Sequence, residues 1–173
     1  MNHSLSRRIR LVALLIITLG LGACASGVKL DDVNPMKKSE VTPSASSKDS
    51  KYANEPWNDP ASPIYNKSFY FDFDSYTVKT SDQSTMNAHA QYLNNNKNQK
   101  VVIQGNTDDQ GTTEYNLALG QKRSEAVRKL LSLLGVSDNQ MEAVSFGKEK
   151  PKSTATDDAG RAENRRADIV YIK

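Results

Sequence analysis

An arginine lies on the apolar face of a predicted amphipathic helix. When the stretch 113–134 is placed on a helix, at about 100° per residue, Leu119 and Leu130 fall on one face with other apolar residues, and Arg123 falls on the same face. An unpaired guanidinium in a buried position costs several kcal/mol. The pattern therefore predicts that Arg123 has a partner.

The loop before this helix supplies a candidate partner. Residues 105–112 read Gly-Asn-Thr-Asp-Asp-Gln-Gly-Thr, and the two glycines allow close approach of the backbone. Asp108 precedes Arg123 by fifteen residues, which is enough for a loop and about three helical turns. Two arrangements fit this spacing. One is an internal ion pair between Asp108 and Arg123; the other is a pocket for a zwitterion, in which Asp108 takes an ammonium group and Arg123 takes a carboxylate.

The elements that must position this pair follow from the hydrophobic pattern. Residues 68–74 alternate three phenylalanines with polar side chains, which predicts a strand with one buried face. A Thr80-x-x-Gln83 capping pattern and apolar residues at helical spacing then predict a helix that stops at residues 94–96. Later patterns predict strand 101–104, helix 113–134 ended by Gly135, strand 141–146, a short helix 158–165 and strand 167–172. This order indicates a single α+β or α/β sandwich of helices on one mixed sheet.

The first 23 residues have the layout of a secretory signal. A short positive segment precedes an apolar run, Leu11–Gly22, and the run is too short for the roughly 20 residues of a membrane-spanning helix. The ending Leu-Gly-Ala-Cys resembles the bacterial lipobox, which implies that Cys24 is lipidated and becomes the first mature residue. Several acyl chains attach a protein stably to a membrane. Ala25 replaces the Asp common in lipoproteins retained in the inner membrane, so the resemblance implies the outer membrane, with the domain facing the periplasm. The alternative is a plain signal peptide with an unrelated cysteine.

The segment that follows the cysteine is polar. Residues 24–66 are rich in Ser, Asn, Asp, Lys and Pro and show no apolar periodicity, which predicts a flexible tether behind the lipidated cysteine. Trp57 and Tyr65 are exceptions, and we expect both to pack on the folded domain, residues 67–173.

Charge and cysteine content exclude several classes of protein. The 173-residue chain has a formal charge of +3, but Arg7, Arg8 and Arg10 lie in the signal, so the chain from Cys24 onward carries 20 basic and 20 acidic side chains. This balance disfavours a nucleic-acid binder. The single cysteine excludes a disulfide within the chain and a four-cysteine zinc site. We expect no cofactor and no metal.

Residues 105–127 resemble the signature of the OmpA-like C-terminal domain family, and in particular that of its peptidoglycan-associated lipoproteins. Segments 70–74, 88–93, 145–151 and 164–166 also match the family pattern. The resemblance runs from about Phe69 to Tyr171. It implies the α+β fold of that family.

The resemblance also implies a ligand. Family members bind the peptidoglycan stem peptide non-covalently through meso-diaminopimelate, whose distal carbon bears both an ammonium and a carboxylate. Carried over by position, the principal ligand-binding residues are Asp108 and Arg123. Asn106 stands where many relatives have His, which removes a titratable group from the pocket rim. The further implied site residues are Phe73, Asp74, Asn106, Thr107 and Leu119, with less defined roles for Asn116 and Arg165.

The implied function is structural. An outer-membrane lipoprotein of this kind tethers the outer membrane to peptidoglycan within the Tol-Pal system, binds TolB and other Tol proteins, and supports envelope integrity and cell division. Catalysis is not expected, because Asp72 and Asp74 do not make a convincing carboxylate pair and no nucleophile motif accompanies His89. The alternatives are a related OmpA-family lipoprotein outside Tol-Pal and an accessory protein of cell-wall hydrolysis.

Overall fold

Within the part of the chain that the structure describes, four strands alternate with three α-helices. The computed structural model describes residues 51–173. The elements, in order, are β1 (Ser68–Tyr70), α1 (Gln83–Asn95), β2 (Val101–Asn106), α2 (Thr113–Leu133), β3 (Met141–Gly147), α3 (Asp158–Asn164) and β4 (Arg166–Tyr171). This order confirms the predicted sandwich of helices on one mixed sheet.

The sheet brings several loops to one end. The strand order is β1-β4-β2-β3, with β2 parallel to β3 and β4 antiparallel to both β1 and β2. Arg166 pairs with Asn106 on one side and Tyr70 on the other. The last residues of β1 and β2 and the first residue of β4 therefore lie together. We call this the site end of the sheet.

The core lies between the sheet and the two long helices. Its apolar residues come from α1, α2 and the helix-facing side of the strands, and several are completely buried. Examples are Met86, Leu93, Ile103, Val127 and Ile169.

The first strand is shorter than its alternation predicts. Phe69 and Phe71 are buried, but Phe73 is 64% exposed. The chain leaves the sheet after Tyr70 and turns, with the Ser75 amide donating to the Asp72 carbonyl oxygen. Alternation holds only where the backbone is extended. The prediction of three phenylalanines on one buried face is therefore wrong for Phe73.

The helix ends follow local sequence with one exception. The Thr112 hydroxyl accepts from the Tyr115 amide at the start of α2, and Gly135 takes a positive φ of 91° just after its end. Thr80 does not cap α1 as the capping pattern predicts. It lies in a 3-10 turn, Thr80–Asp82, and no side chain caps the helix that follows.

Part of the predicted tether packs on the domain. Trp57 is 6% exposed and stacks on Tyr171 with ring centroids 4.5 Å apart, and Ile64 is also buried. The packing of Trp57 is confirmed, whereas Tyr65 is 48% exposed and its predicted packing is wrong. We call residues 52–67 the N-terminal strap. The apolar area of one indole is enough to anchor an otherwise polar segment.

Other predictions concern residues outside the described range. The signal peptide, Cys24 and residues 24–50 of the tether lie there, so these assignments stay predictions. Within residues 51–173, none of the helices is long and apolar enough to cross a membrane.

Candidate functional site

Arg123 is completely buried and is held by main-chain carbonyl groups. Its Nε donates to the Ser75 carbonyl oxygen at 2.8 Å, its Nη1 to that of Asn106 at 2.9 Å, and its Nη2 to that of Asp72 at 3.3 Å. The guanidinium also lies over the ring of Phe71, 5.2 Å from its centroid. It therefore ties the segment after β1 to the last residue of β2.

The ion pair at the site end joins Asp108 to a different arginine. Arg165 Nη1 lies 3.2 Å from Asp108 Oδ2, and its Nε donates to the Phe71 carbonyl oxygen. Arg123 makes no ion pair with any residue from 51 to 173. The internal salt bridge between Asp108 and Arg123, one of the two arrangements that fit the spacing, is therefore not formed, because main-chain carbonyl groups bind Arg123 and Arg165 binds Asp108.

Burial and neighbouring charges set the electrostatics of the site. The pKa of Arg123 is lowered to about 10, chiefly by burial; the charge of Asp108 opposes this change, that of Arg165 adds to it, and that of Asp74 opposes it. Arg123 stays protonated near neutral pH. Two buried or nearly buried guanidinium groups thus face one buried carboxylate, that of Asp108. The other carboxylate that acts on Arg123 is that of the exposed Asp74, and neither carboxylate forms an ion pair with Arg123, so the guanidinium can still pair with an anionic group.

Two glycines set the distance between Arg123 and the end of β2. A Cβ atom at Gly105 would lie 1.8 Å from the Gly120 carbonyl oxygen, and a Cβ atom at Gly120 would lie 2.3 Å from the Ser145 hydroxyl. Helix α2 therefore packs directly on the backbone of β2. Because Gly120 is one turn before Arg123, this close approach brings the guanidinium to the Asn106 carbonyl.

The structure separates the two functional groups of Asn106. Its main-chain carbonyl oxygen accepts from Arg123 Nη1, whereas its side-chain Nδ2 donates to the Gln104 carbonyl oxygen and to Asp168 Oδ2. Asp168 alternates with the core residue Ile169, so the Asn106 amide lies on the sheet face away from the helices. Only the main chain of Asn106 lines the predicted pocket.

Thr107 and Asn116 hold the loop in which Asp108 lies. The Thr107 hydroxyl donates to the Asp108 carbonyl oxygen, and the Asn116 Nδ2 donates to the Gln110 carbonyl oxygen at 3.0 Å. Asp108 Oδ1 accepts from the Gln110 amide. The Asn116 Oδ1 is buried and has no hydrogen-bond partner among the described residues. Leu119 is buried one turn before Arg123.

The turn after β1 carries the other two predicted site residues. Phe73 is exposed, and Asp74 has a positive φ of 53° with its carboxylate accepting from the Tyr115 hydroxyl. This hydrogen bond and the charge of Asp74 raise the pKa of Tyr115. The sequence analysis missed Tyr115, because an exposed tyrosine at the start of a helix gives no signal of its own.

The residues weighed for catalysis have other partners. Asp72 is exposed and forms an ion pair with Lys79 at 2.8 Å, and this pairing lowers the pKa of Asp72. His89 is buried, with its Nδ1 2.8 Å from the Tyr171 hydroxyl and its Nε2 2.9 Å from the Asn66 carbonyl oxygen. His89 therefore packs under the N-terminal strap and takes no part in the site around Arg123.

The sheet order and the charged cluster at the site end define an OmpA-like domain. The model of the OmpA family matches residues 70–165. A crystal structure of the peptidoglycan-associated lipoprotein from Burkholderia pseudomallei is 60% identical to this chain, covers 68% of it and 100% of the other chain, and superposes with a TM-score of 0.67. The C-terminal domain of Helicobacter pylori MotB shares the fold, with a TM-score of 0.57 at 23% identity over 61% of this chain and 84% of that one.

Curated relatives carry the same name as the Burkholderia structure. The peptidoglycan-associated lipoprotein of Pasteurella multocida is 46% identical over 59% of this chain and 68% of its own length. That of Pseudomonas putida is 46% identical over 58% of this chain and 60% of its own length. This chain belongs to the OmpA family, among its peptidoglycan-associated lipoproteins.

Proposed function

We propose that the site end binds peptidoglycan non-covalently through meso-diaminopimelate in its stem peptide. The observation that carries this proposal is a fully buried guanidinium, Arg123, that has no carboxylate partner among the described residues and lies beside the buried carboxylate of Asp108. A zwitterion carries both charges that such a pair can bind. The names of the relatives also associate them with peptidoglycan.

The donors and acceptors of the site suit this ligand. A guanidinium has five N–H donors, and three of those of Arg123 are engaged by carbonyl groups, so two are left for a carboxylate. Asp108 and the nearby carbonyl oxygens are acceptors for an ammonium group. In this proposal the ligand ammonium competes with Arg165 for Asp108. Each charge-assisted hydrogen bond contributes roughly 1.5 to 3 kcal/mol.

Co-sedimentation with purified sacculi tests the proposal. Asp108→Asn removes the negative charge at nearly constant volume, and we expect this variant to stay in the supernatant while the parent sediments. Asp109→Asn is a matched control, because Asp109 is the next residue, is exposed, and pairs with Arg161 at 2.9 Å. If the two variants sediment equally well, Asp108 does not bind the ligand. Release of soluble fragments from the sacculi would instead favour the hydrolase alternative.

We further propose that the chain is an outer-membrane lipoprotein attached through Cys24, with the domain in the periplasm. The lipobox-like sequence, the polar segment 24–50 and the lipoprotein names of the relatives support this location. We expect Cys24→Ser to remove lipid labelling and membrane association while sacculus binding in solution persists. Continued lipid labelling of this variant would contradict the assignment.

The most specific part of the proposal is a role in the Tol-Pal system. As a Tol-Pal member, the domain would bind TolB and other Tol proteins and support envelope integrity and cell division. The resemblance of residues 105–127 to the family signature supports this role. Capture of TolB by the purified domain tests it, and a domain that binds sacculi but not TolB would favour a related lipoprotein outside Tol-Pal.

A further inference from the structure

The free guanidinium donors of Arg123 are closed off from solvent. The residue has 0% exposure, and residues 72–76, which we call the site loop, lie against it. Two carbonyl groups of this loop, those of Asp72 and Ser75, accept from Arg123. A ligand carboxylate therefore reaches the guanidinium only when a segment around it moves, and the site loop supplies two of its three carbonyl partners.

The tip of the site loop has a left-handed backbone conformation. Asp74 lies between the two anchoring carbonyl groups and has a φ of 53°, which aspartate adopts more readily than most residues other than glycine. Its carboxylate accepts from the Tyr115 hydroxyl. Tyr115 and Arg123 both lie on α2, so one helix holds the site loop at several points. The Tyr115 hydroxyl binds the carboxylate of Asp74, and the Arg123 guanidinium binds the carbonyl groups of the loop on both sides of that residue.

We propose that Tyr115 is a positioning residue that keeps the site loop closed over Arg123 and thereby sets how fast a zwitterionic ligand enters and leaves. This inference rests on the proposed function of the same site. Tyr115 acts through Asp74 and makes no contact with the ligand. Loss of its hydroxyl opens the loop more often in both the free and the bound protein.

This arrangement has a kinetic signature. If the loop is closed in both states, more frequent opening raises the association and dissociation rate constants by the same factor and leaves the dissociation constant unchanged. Loss of one exposed hydrogen bond corresponds to about a fivefold change in this opening equilibrium. A residue with only a structural role would change stability without moving both rates together.

The experiment compares Tyr115→Phe with the parent in the full chain, purified in detergent. Hydrogen exchange of the amides of residues 73–76 reports loop opening without ligand, and stopped-flow binding of free meso-diaminopimelate reports the two rate constants. Tyr76→Phe is the matched control, because Tyr76 lies in the same loop and its hydroxyl makes no hydrogen bond within residues 51–173.

We expect Tyr115→Phe to speed loop exchange and to raise both rate constants about fivefold, with Tyr76→Phe behaving like the parent. Unchanged exchange overturns the positioning role, whatever the binding data show. Faster exchange with unchanged binding rates overturns the link to ligand entry. If the parent does not bind meso-diaminopimelate although exchange responds, the proposed function fails, and this inference fails with it.

Discussion

Replacing Arg123 with methionine separates its role in folding from its role in binding. Methionine keeps an unbranched side chain in the space beside Phe71 but carries no charge and no donors. The carbonyl groups of Asp72, Ser75 and Asn106 lose their shared partner. We expect the variant to fold with reduced stability and to lose sacculus binding.

The expected size of the loss follows from two opposing effects. Three hydrogen bonds from a charged donor contribute roughly 5 to 9 kcal/mol together. Burial, which holds the pKa of Arg123 at about 10, opposes this by destabilising the charged form. This penalty amounts to about 3 kcal/mol, at about 1.4 kcal/mol per tenfold change in proton affinity. The net loss is therefore about 2 to 6 kcal/mol, which a domain near the middle of the usual range of roughly 5 to 15 kcal/mol of stability survives.

Urea unfolding and co-sedimentation of the same preparation measure the two effects. Arg128→Met is the matched control, because Arg128 lies on the same helix and forms only surface ion pairs, with Glu125 and Asp138. We expect this control to change stability by less than about 1 kcal/mol and to bind sacculi. A folded Arg123→Met variant that sediments like the parent would refute the binding role of the guanidinium. A variant as stable as Arg128→Met would refute its role in joining the strands.

Three further predictions concern packing and pH. Gly105→Ala should destabilise the domain more than Gly120→Ala in urea unfolding, because the added Cβ meets backbone at 1.8 Å in the first case and a side-chain hydroxyl at 2.3 Å in the second. Burial lowers the pKa of His89, so the unfolded chain binds a proton at this residue more tightly than the folded domain does. The folding stability that is present above about pH 6.5, the ordinary pKa of histidine, should therefore fall as the pH drops through the lowered pKa. His89→Gln should flatten this part of the profile of melting temperature against pH. Trp57→Ala should cost about 3 kcal/mol of unfolding free energy and speed hydrogen exchange in the N-terminal strap, because it removes the stack on Tyr171.

The sequence predicts most of the fold because its signals are local. The length of α2 follows from apolar periodicity over residues 113–134, and its end at Gly135, which takes a positive φ, is confirmed. Local signals fail where the chain leaves a regular element. Phe73 continues the alternating sequence pattern, but the backbone has left the extended conformation before this residue. The polar composition around Trp57 predicts a flexible tether, although the indole of Trp57 attaches this segment to the domain by stacking on Tyr171.

The candidate site is only partly predictable. An arginine among leucines identifies Arg123 as buried, and the structure confirms this. Its partners are main-chain carbonyl groups, which every residue carries, so no residue type could reveal them. Asp108 pairs with Arg165, 57 residues away in sequence, through the meeting of the β2 and β4 ends. Such a pairing follows from strand order, which the sequence pattern alone leaves open.

The N-terminal strap and the site lie at opposite ends of the sheet. Trp57 stacks on Tyr171, which pairs with Val101, whereas the site begins where Asn106 pairs with Arg166. The two ends of β2 are about 17 Å apart. If the chain is anchored and binds the wall as proposed, a mechanical load between the two attachments runs lengthwise along the strands. The ladder hydrogen bonds between β1, β4 and β2 would then bear the force in shear, all at once, instead of opening one after another.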